Sequence, residues 1–236
     1  MIKEQQLTAI IPVRGGSKGI PGKNLRRLGR DTLLERAIKL AHHAPQVDRI
    51  LVTTDDPEMY KTAQDYGVAA PGLRPAHLAS DSATSVDVVA HLIDHANIAP
   101  GYLLLLQATS PLRTTGDLAS LCRKFEESDA DAIVSLCKHE EPHPAKLQII
   151  EQEHVRPFMA TGFEGPRQDL TSVYALNGAF YLINRDIFLT NRSFLPPRTI
   201  PFLMPPERSA NLDTLTDWHI LTALVEKGIW ELEELT

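Results

Sequence analysis

The chain has 236 residues, with 24 Lys and Arg against 30 Asp and Glu, a net charge of −6, and a hydrophobic fraction of 43%. That is ordinary globular composition at a length suited to one domain with a large core, which excludes a disordered or collagen-like chain. The acidic balance argues against general nucleic-acid binding, and no apolar run approaches the ~20 residues of a membrane-spanning helix.

In chain order, Leu7–Val13 is a short apolar run before a glycine-rich loop and reads as a buried parallel strand. It is too short, and too interrupted by Thr8 and Pro12, for an export signal, so a cytoplasmic location is expected. Asp31 is the expected N-cap of a helix whose apolar positions continue through Leu33, Leu34, Ala37, Ile38 and Ala41. Arg49–Thr54 is a second strand. Asp56 then caps a helix with Pro57 at its first position, ending near Gly67. Ser82–Ala96 is an amphipathic helix, Tyr102–Leu106 the most apolar and central strand, Asp117–Glu127 a helix and Ala132–Cys137 a strand. Prolines 142, 144, 157 and 166 mark residues 139–175 as an excursion from the sheet. Asn177–Ile183 returns as a strand, Pro196–Pro206 reads as loop, and Leu215–Lys227 is a last helix stopped by Gly228. The alternation predicts an α/β fold: a mostly parallel sheet between two helical layers, with ligands bound at the carboxyl ends of the strands.

The charge is uneven. Residues 1–30 hold seven bases and one acid, which points to a local anion site. Its centre is Arg14-Gly-Gly-Ser-Lys-Gly-Ile-Pro-Gly-Lys-Asn24. Glycines let a backbone wrap an anion, and Arg14, Lys18 and Lys23 reinforce it. The spacing is neither that of a P-loop nor Gly-x-Gly-x-x-Gly. Arg26, Arg27 and Arg30 lie beside it and raise the local potential. Cys122 and Cys137 read as buried small apolar residues. His91 and His95, four apart on a helix, lack a third ligand and read as a solvated helix face, while Pro142 and Pro144 keep His139 and His143 from aligning on a helix.

The loop resembles the signature of the acylneuraminate (nonulosonic acid) cytidylyltransferases. The resemblance recurs in family order at Arg74-Pro75 with Leu78–Asp81, Leu106-Gln-Ala-Thr-Ser-Pro-Leu-Arg113, His143–Lys146, Arg167–Leu170, Asn177–Tyr181 and Leu212–Thr214. It implies a Rossmann-like nucleotidyltransferase of three layers: a single domain over 1–236, with residues 139–175 as a dimerisation arm in a homodimer. The implied reaction moves CMP from CTP to an acidic sugar (sialic acid or a relative) and releases pyrophosphate.

By the same resemblance, Arg14, Gly15, Gly16, Ser17, Lys23 and Asn24 serve the nucleotide phosphates, and Arg74 and Ser85 the base end. Gln107, Lys146, Arg167, Gln168, Asn177 and Tyr181 serve the sugar, with Lys146 and Arg167 reaching the neighbouring subunit's site. Arg14, Lys23 and Asp213 carry the chemistry, and Mg²⁺ is the implied cofactor. The family's D-x-D reads Asn211-Leu212-Asp213 here, so one carboxylate ligand is replaced by a neutral amide. Asp217, four residues later, reads either as a support for Asp213 or as a first-turn helix acid, the second favoured. Two alternatives stay open: another nucleotide or sugar, and a catalytically weak sugar-nucleotide binder.

Overall fold

A computed structural model describes residues 1–159 and 169–235. The central sheet has six strands: β1 (Leu7–Pro12), β4 (Arg49–Thr53), β5 (Tyr102–Leu105), β6 (Ala132–His139), β9 (Val173–Asn184) and β10 (Thr199–Met204), in the order β10-β6-β9-β5-β1-β4. Two small ribbons accompany it, β2 (Arg27–Leu28) with β3 (Asp31–Thr32) and β7 (Gln148–Glu151) with β8 (His154–Pro157). The helices are α1 (Leu33–His42), α2 (Pro57–Asp65), α3 (Ser85–His95), α4 (Thr115–Glu126), α5 (Arg185–Asn191) and α6 (Leu215–Glu226).

Alternating strand side chains divide the core into two layers. Ala9, Ile11, Leu104 and Leu106 face a cluster shared with α1, α2, α4 and α6. Ile10, Leu103 and Leu105 face the opposite way, toward Val89, Leu92 and Ile93 of α3 and Phe188 of α5. Both faces of β1 and β5 are therefore covered, which explains their near-continuous apolar sequence. Each fully buried Leu or Ile side chain contributes about 1.5–3 kcal/mol by leaving water. Among the described residues, no helix is long and apolar enough to cross a membrane.

The three-layer, mostly parallel expectation holds, with one strand reversed. β9 runs antiparallel to both β5 and β6, while the other pairings of the central sheet are parallel. The carboxyl ends of β1, β4 and β5 thus share one edge of the sheet with the first half of β9.

Local chemistry shifts several expected boundaries. Thr32, not Asp31, caps α1, because its hydroxyl accepts from the Glu35 N–H while the Glu35 carboxylate accepts from the Thr32 N–H. Asp31 instead pairs with Lys39 at 2.8 Å. α3 begins at Ser85, since the Thr84 hydroxyl accepts from the Asp87 N–H. The segment read as a Pro-rich loop contains edge strand β10, with Pro201 opposite Val134. An edge tolerates a proline because one side of the strand needs no ladder donor. Cys122 is buried, and burial pushes its thiol up to about 12, whereas Cys137 is only half-buried.

Candidate active site

The glycine loop after β1, the segment from Arg74 to the start of α3, the turn after β5 and the segment before α6 enclose a cleft of about 480 Å³. Arg14, Ser17, Lys18, Lys23, Asn24, Arg74, Ser85, Gln107, Asn211 and Asp213 all line it, so most sequence-predicted site residues meet at one place.

At the glycine-loop end, Lys23 is largely buried. Its Nζ donates to the Leu212 carbonyl at 2.6 Å and lies 3.5 Å from Asp213 Oδ1. Asn24 is buried and donates to the Arg14 carbonyl at 3.1 Å, which fixes the backbone that carries Arg14. The Gly15 N–H donates to Asp55 Oδ1 at 3.3 Å, so that amide is engaged by an acid of the same chain. The Ser17 N–H closes the turn on the Gly15 carbonyl at 3.0 Å, and the space beside Gly16 is open. Gly19 has a strict steric reason: a Cβ there would lie 2.0 Å from the Asp213 carbonyl oxygen. That close approach brings the loop against the acid expected to bind metal. Sequence reading missed it because the partners are almost 200 residues apart.

On the wall between α2 and α3, Arg74 is buried. It donates to the Val13 carbonyl at 2.8 Å and sits 3.5 Å from Asp55 Oδ1, while its Nε is buried without a partner among the described residues. Burial pushes the guanidinium below its ordinary range, and Asp55 opposes that shift. Asp55 thus touches both Gly15 and Arg74. Ser85 is the first residue of α3. Asp81 bridges two loop cations, Arg14 Nη1 at 3.0 Å and Lys18 Nζ at 2.5 Å.

At the third corner, Gly178 has a φ of +73°, and a Cβ there would lie 2.5 Å from Gln107 Oε1. Only glycine suits both the backbone and the close Gln107 side chain. Below them Arg113 is buried, donating to the carbonyls of Gln107 at 2.7 Å and Ala179 at 2.9 Å. Burial, with Arg36 adding to it, pushes Arg113 down to about 9, which leaves it a cation at neutral pH. It ties the turn carrying Gln107 to β9.

Two expected sugar contacts point elsewhere. Asn177 is buried and faces inward. Its Oδ1 accepts from Ser135 Oγ at 2.6 Å and the Ala179 N–H at 3.2 Å, and its Nδ2 donates to Ser209 Oγ at 2.9 Å. It is a hub that joins β6, β9 and the segment after β10 rather than an open ligand. Tyr181 tilts against Phe194 at 5.8 Å, outside the lining of the cleft, and burial raises its hydroxyl pKa.

Asn211 Nδ2 donates to Asp213 Oδ2 at 2.8 Å. Asp217 accepts from the Asp213 and Thr214 N–H groups at 3.1 and 2.7 Å and completes the capping box of α6, as its first-turn position suggested. Burial opposes its ionisation, but these hydrogen bonds outweigh it and hold the carboxyl below its ordinary value. Among the described residues there is no group of three or more His, Cys, Asp or Glu side chains placed to hold a metal. His91 and His95 stack on each other at 5.3 Å, and His95 meets the Pro71 carbonyl at 2.9 Å. His143 is buried and caps a short turn, and His139 meets the Pro142 carbonyl at 2.9 Å.

Lys146 lies outside this cleft, 3.6 Å from Glu141. Arg167 and Gln168 lie outside the described residues.

Residues 8–201 match the family model described as Cytidylyltransferase. An N-acylneuraminate cytidylyltransferase of Streptococcus agalactiae is 31% identical over 216 residues, covering 90% of this chain and 52% of the relative. The chain thus spans about half the length of that curated relative. A pseudaminic acid cytidylyltransferase of Campylobacter jejuni is 29% identical over 211 residues, covering 88% of this chain and 91% of the relative. Among solved structures, a CMP:2-keto-3-deoxy-manno-octonic acid synthetase complexed with CTP superposes with a TM-score of 0.68. It is 17% identical, and the match covers 94% of this chain and 99% of the other, which shows the shared fold.

Proposed function

The chain belongs to the cytidylyltransferase family, and from that premise we propose that it transfers CMP from CTP to a nonulosonic acid and releases pyrophosphate. The observation that carries this reading is the meeting of Arg14, Lys18, Lys23, Arg74 and Asp213 in one cleft. In the proposed reaction the sugar's anomeric hydroxyl oxygen attacks the α-phosphorus. The new P–O bond forms as the bond to the β-phosphate oxygen breaks, and pyrophosphate leaves with that electron pair. The hydroxyl proton passes to solvent, because no side chain is assigned as base.

Arg14 and Lys18 hold the phosphates, and Lys23 stabilises the charge that builds on the leaving group. Fixed cations in a partly dry site act more strongly on that developing charge than water does. Arg74 and Ser85 border the base, and Gln107, held over Gly178, faces the acceptor.

The donors near Lys23 suit Mg²⁺, which favours hard oxygens, retains several waters and shares its shell with substrate phosphates. Asp213 would hold it, with the Asn211 carbonyl oxygen as a weaker donor once its amide turns away from Asp213. Bound there, Mg²⁺ would neutralise phosphate charge and acidify a coordinated hydroxyl or water.

The exposed apolar side chains of the β7–β8 hairpin, Ile150 and Val155, support an arm within residues 139–175 that packs on a second copy. In that homodimer Lys146 and Arg167 would meet the sugar carboxylate of the neighbouring site, Gln168 would lie beside them, and the whole would work in the cytoplasm.

A pyrophosphate-release screen crossing CTP, UTP, GTP and ATP with N-acetylneuraminic, legionaminic, pseudaminic and 3-deoxy-octulosonic acids tests the proposal. Release should require CTP and one of the first three acids. Asn211, standing where the family carries a second carboxylate, favours the second reading of a weak sugar-nucleotide binder. Binding without turnover for every pair would select that one.

A further inference from the structure

The three cations of the glycine loop are all engaged by carboxylates of the same chain. Lys23 is held by the Leu212 carbonyl and Asp213, with its side chain only 14% exposed. Arg14 and Lys18 share Asp81, one carboxylate oxygen to each cation. A phosphate bridging the same pair would use two oxygens in the same way. The Asp81 carboxyl is held below its ordinary value by hydrogen bonds from Lys18 and Arg14, so it is an anion at neutral pH.

Asp81 does not belong to the loop. It follows the short turn over Ala76–Ala79 and precedes Thr84, the cap of α3. The Ala79 carbonyl also accepts from Arg14 at 3.5 Å, so this segment leans on the loop through two points. Its side chain is 50% exposed, as suits a contact made and broken easily, since exposed ion pairs are weak and screened by salt. Loop, Asp81 and Ser85 border the same cleft. An anion that takes Arg14 and Lys18 therefore meets the negative charge of Asp81 and must displace it.

We propose that Asp81 is a built-in competitor for the phosphate cradle, which the nucleotide's phosphates displace and which returns to help expel pyrophosphate. The proposal rests on the reading that the loop binds phosphates. It makes Asp81 a residue that sets affinity and product release and takes no part in bond making. An acid in an anion site otherwise lowers affinity for the substrate, and the family's own product is a polyanion that must leave. A displaceable carboxylate prevents the cradle from holding pyrophosphate too tightly.

The test measures binding of inorganic tripolyphosphate and pyrophosphate to the full chain by calorimetry, at fixed ionic strength, for wild type, Asp81→Asn and Asp81→Ala. Thermal melts check that the variants remain folded, as expected for a half-exposed side chain. Both variants should bind both anions about fivefold to tenfold more tightly. In the turnover assay, pyrophosphate should become a correspondingly stronger inhibitor. Unchanged or weaker binding in the folded variants would overturn the proposal, since Asp81 would then be inert or would orient Arg14 and Lys18 for the ligand. Failure of all three proteins to bind either anion would overturn it together with the phosphate role of the loop. Tighter binding in the variants with no turnover for any sugar acid would leave the competitor role of Asp81 standing and remove the cytidylyltransferase reading together with the pyrophosphate-release step.

Discussion

At the glycine-loop end of the cleft, Arg14, Lys18 and Lys23 each meet a carboxylate of their own chain, and Gly19 packs against the Asp213 backbone. The hairpin β7–β8 is the opposite: Ile150 is 75% exposed and Val155 67% exposed, and among the described residues the hairpin's ladder pairs its two strands only with each other. One region is finished within a single chain, with its charges matched before any ligand arrives. The other presents apolar surface that a second copy would bury. The difference teaches that the glycine-loop end of the cleft can be read from one chain, while on the proposed reading a second copy over the hairpin would complete the acceptor end.

The largest expected effect breaks the finished half. Lys23→Ala removes the cation nearest Asp213 and should lower turnover by about 10²–10³-fold. The fold should survive, since Lys23 lies in a polar loop lining the cleft and its carboxylate partner Asp213 is exposed. Steady-state kinetics and a thermal melt read both parts, and near-wild-type turnover would remove the role assigned to Lys23. Next, Ile150→Asp with Val155→Asp places charge on the exposed hairpin face. Sedimentation should shift from dimer to monomer, and the sugar KM should rise about tenfold while the CTP dissociation constant stays within about twofold. Equal weakening of both substrates would blur the contrast between the two halves. The smallest expected effect sharpens it: Asn211→Asp adds a second carboxylate beside Asp213. It should lower the Mg²⁺ concentration for half-maximal rate by about threefold to tenfold, read from a metal titration.

Much of the finished half was legible in the sequence. Apolar runs placed β1, β4 and β5, and the parallel topology then brings the unusual residues after each run to a common edge. The motifs Arg14–Asn24, Arg74 and Gln107–Arg113 fall together for that reason. The Thr32 cap was also readable, since Glu35 follows it at capping-box spacing. Strand β10 was hidden by Pro201 and the prolines flanking it, which signal loop unless one knows that the strand lies at an edge. The inward turn of Asn177 was hidden because an asparagine in a motif looks the same whether it faces a ligand or ties strands together. Long-range approaches such as Gly19 to Asp213, and the bridge from Arg14 and Lys18 to Asp81, depend on the folded path and leave no local signal.

The sharpest test of the claim that a second chain completes the acceptor end is subunit complementation. Lys23→Ala and Lys146→Ala chains, each carrying a different tag, are co-expressed and the mixed dimers purified along with the two parents. A Lys146 that acts across the dimer leaves one intact site in every mixed dimer, with the Lys146→Ala chain's own loop and the arm of the Lys23→Ala chain. The mixed dimer should then recover about half of wild-type turnover per dimer, far above either parent. Activity no higher than the mean of the two parents would show that each chain completes its own site and would contradict the account.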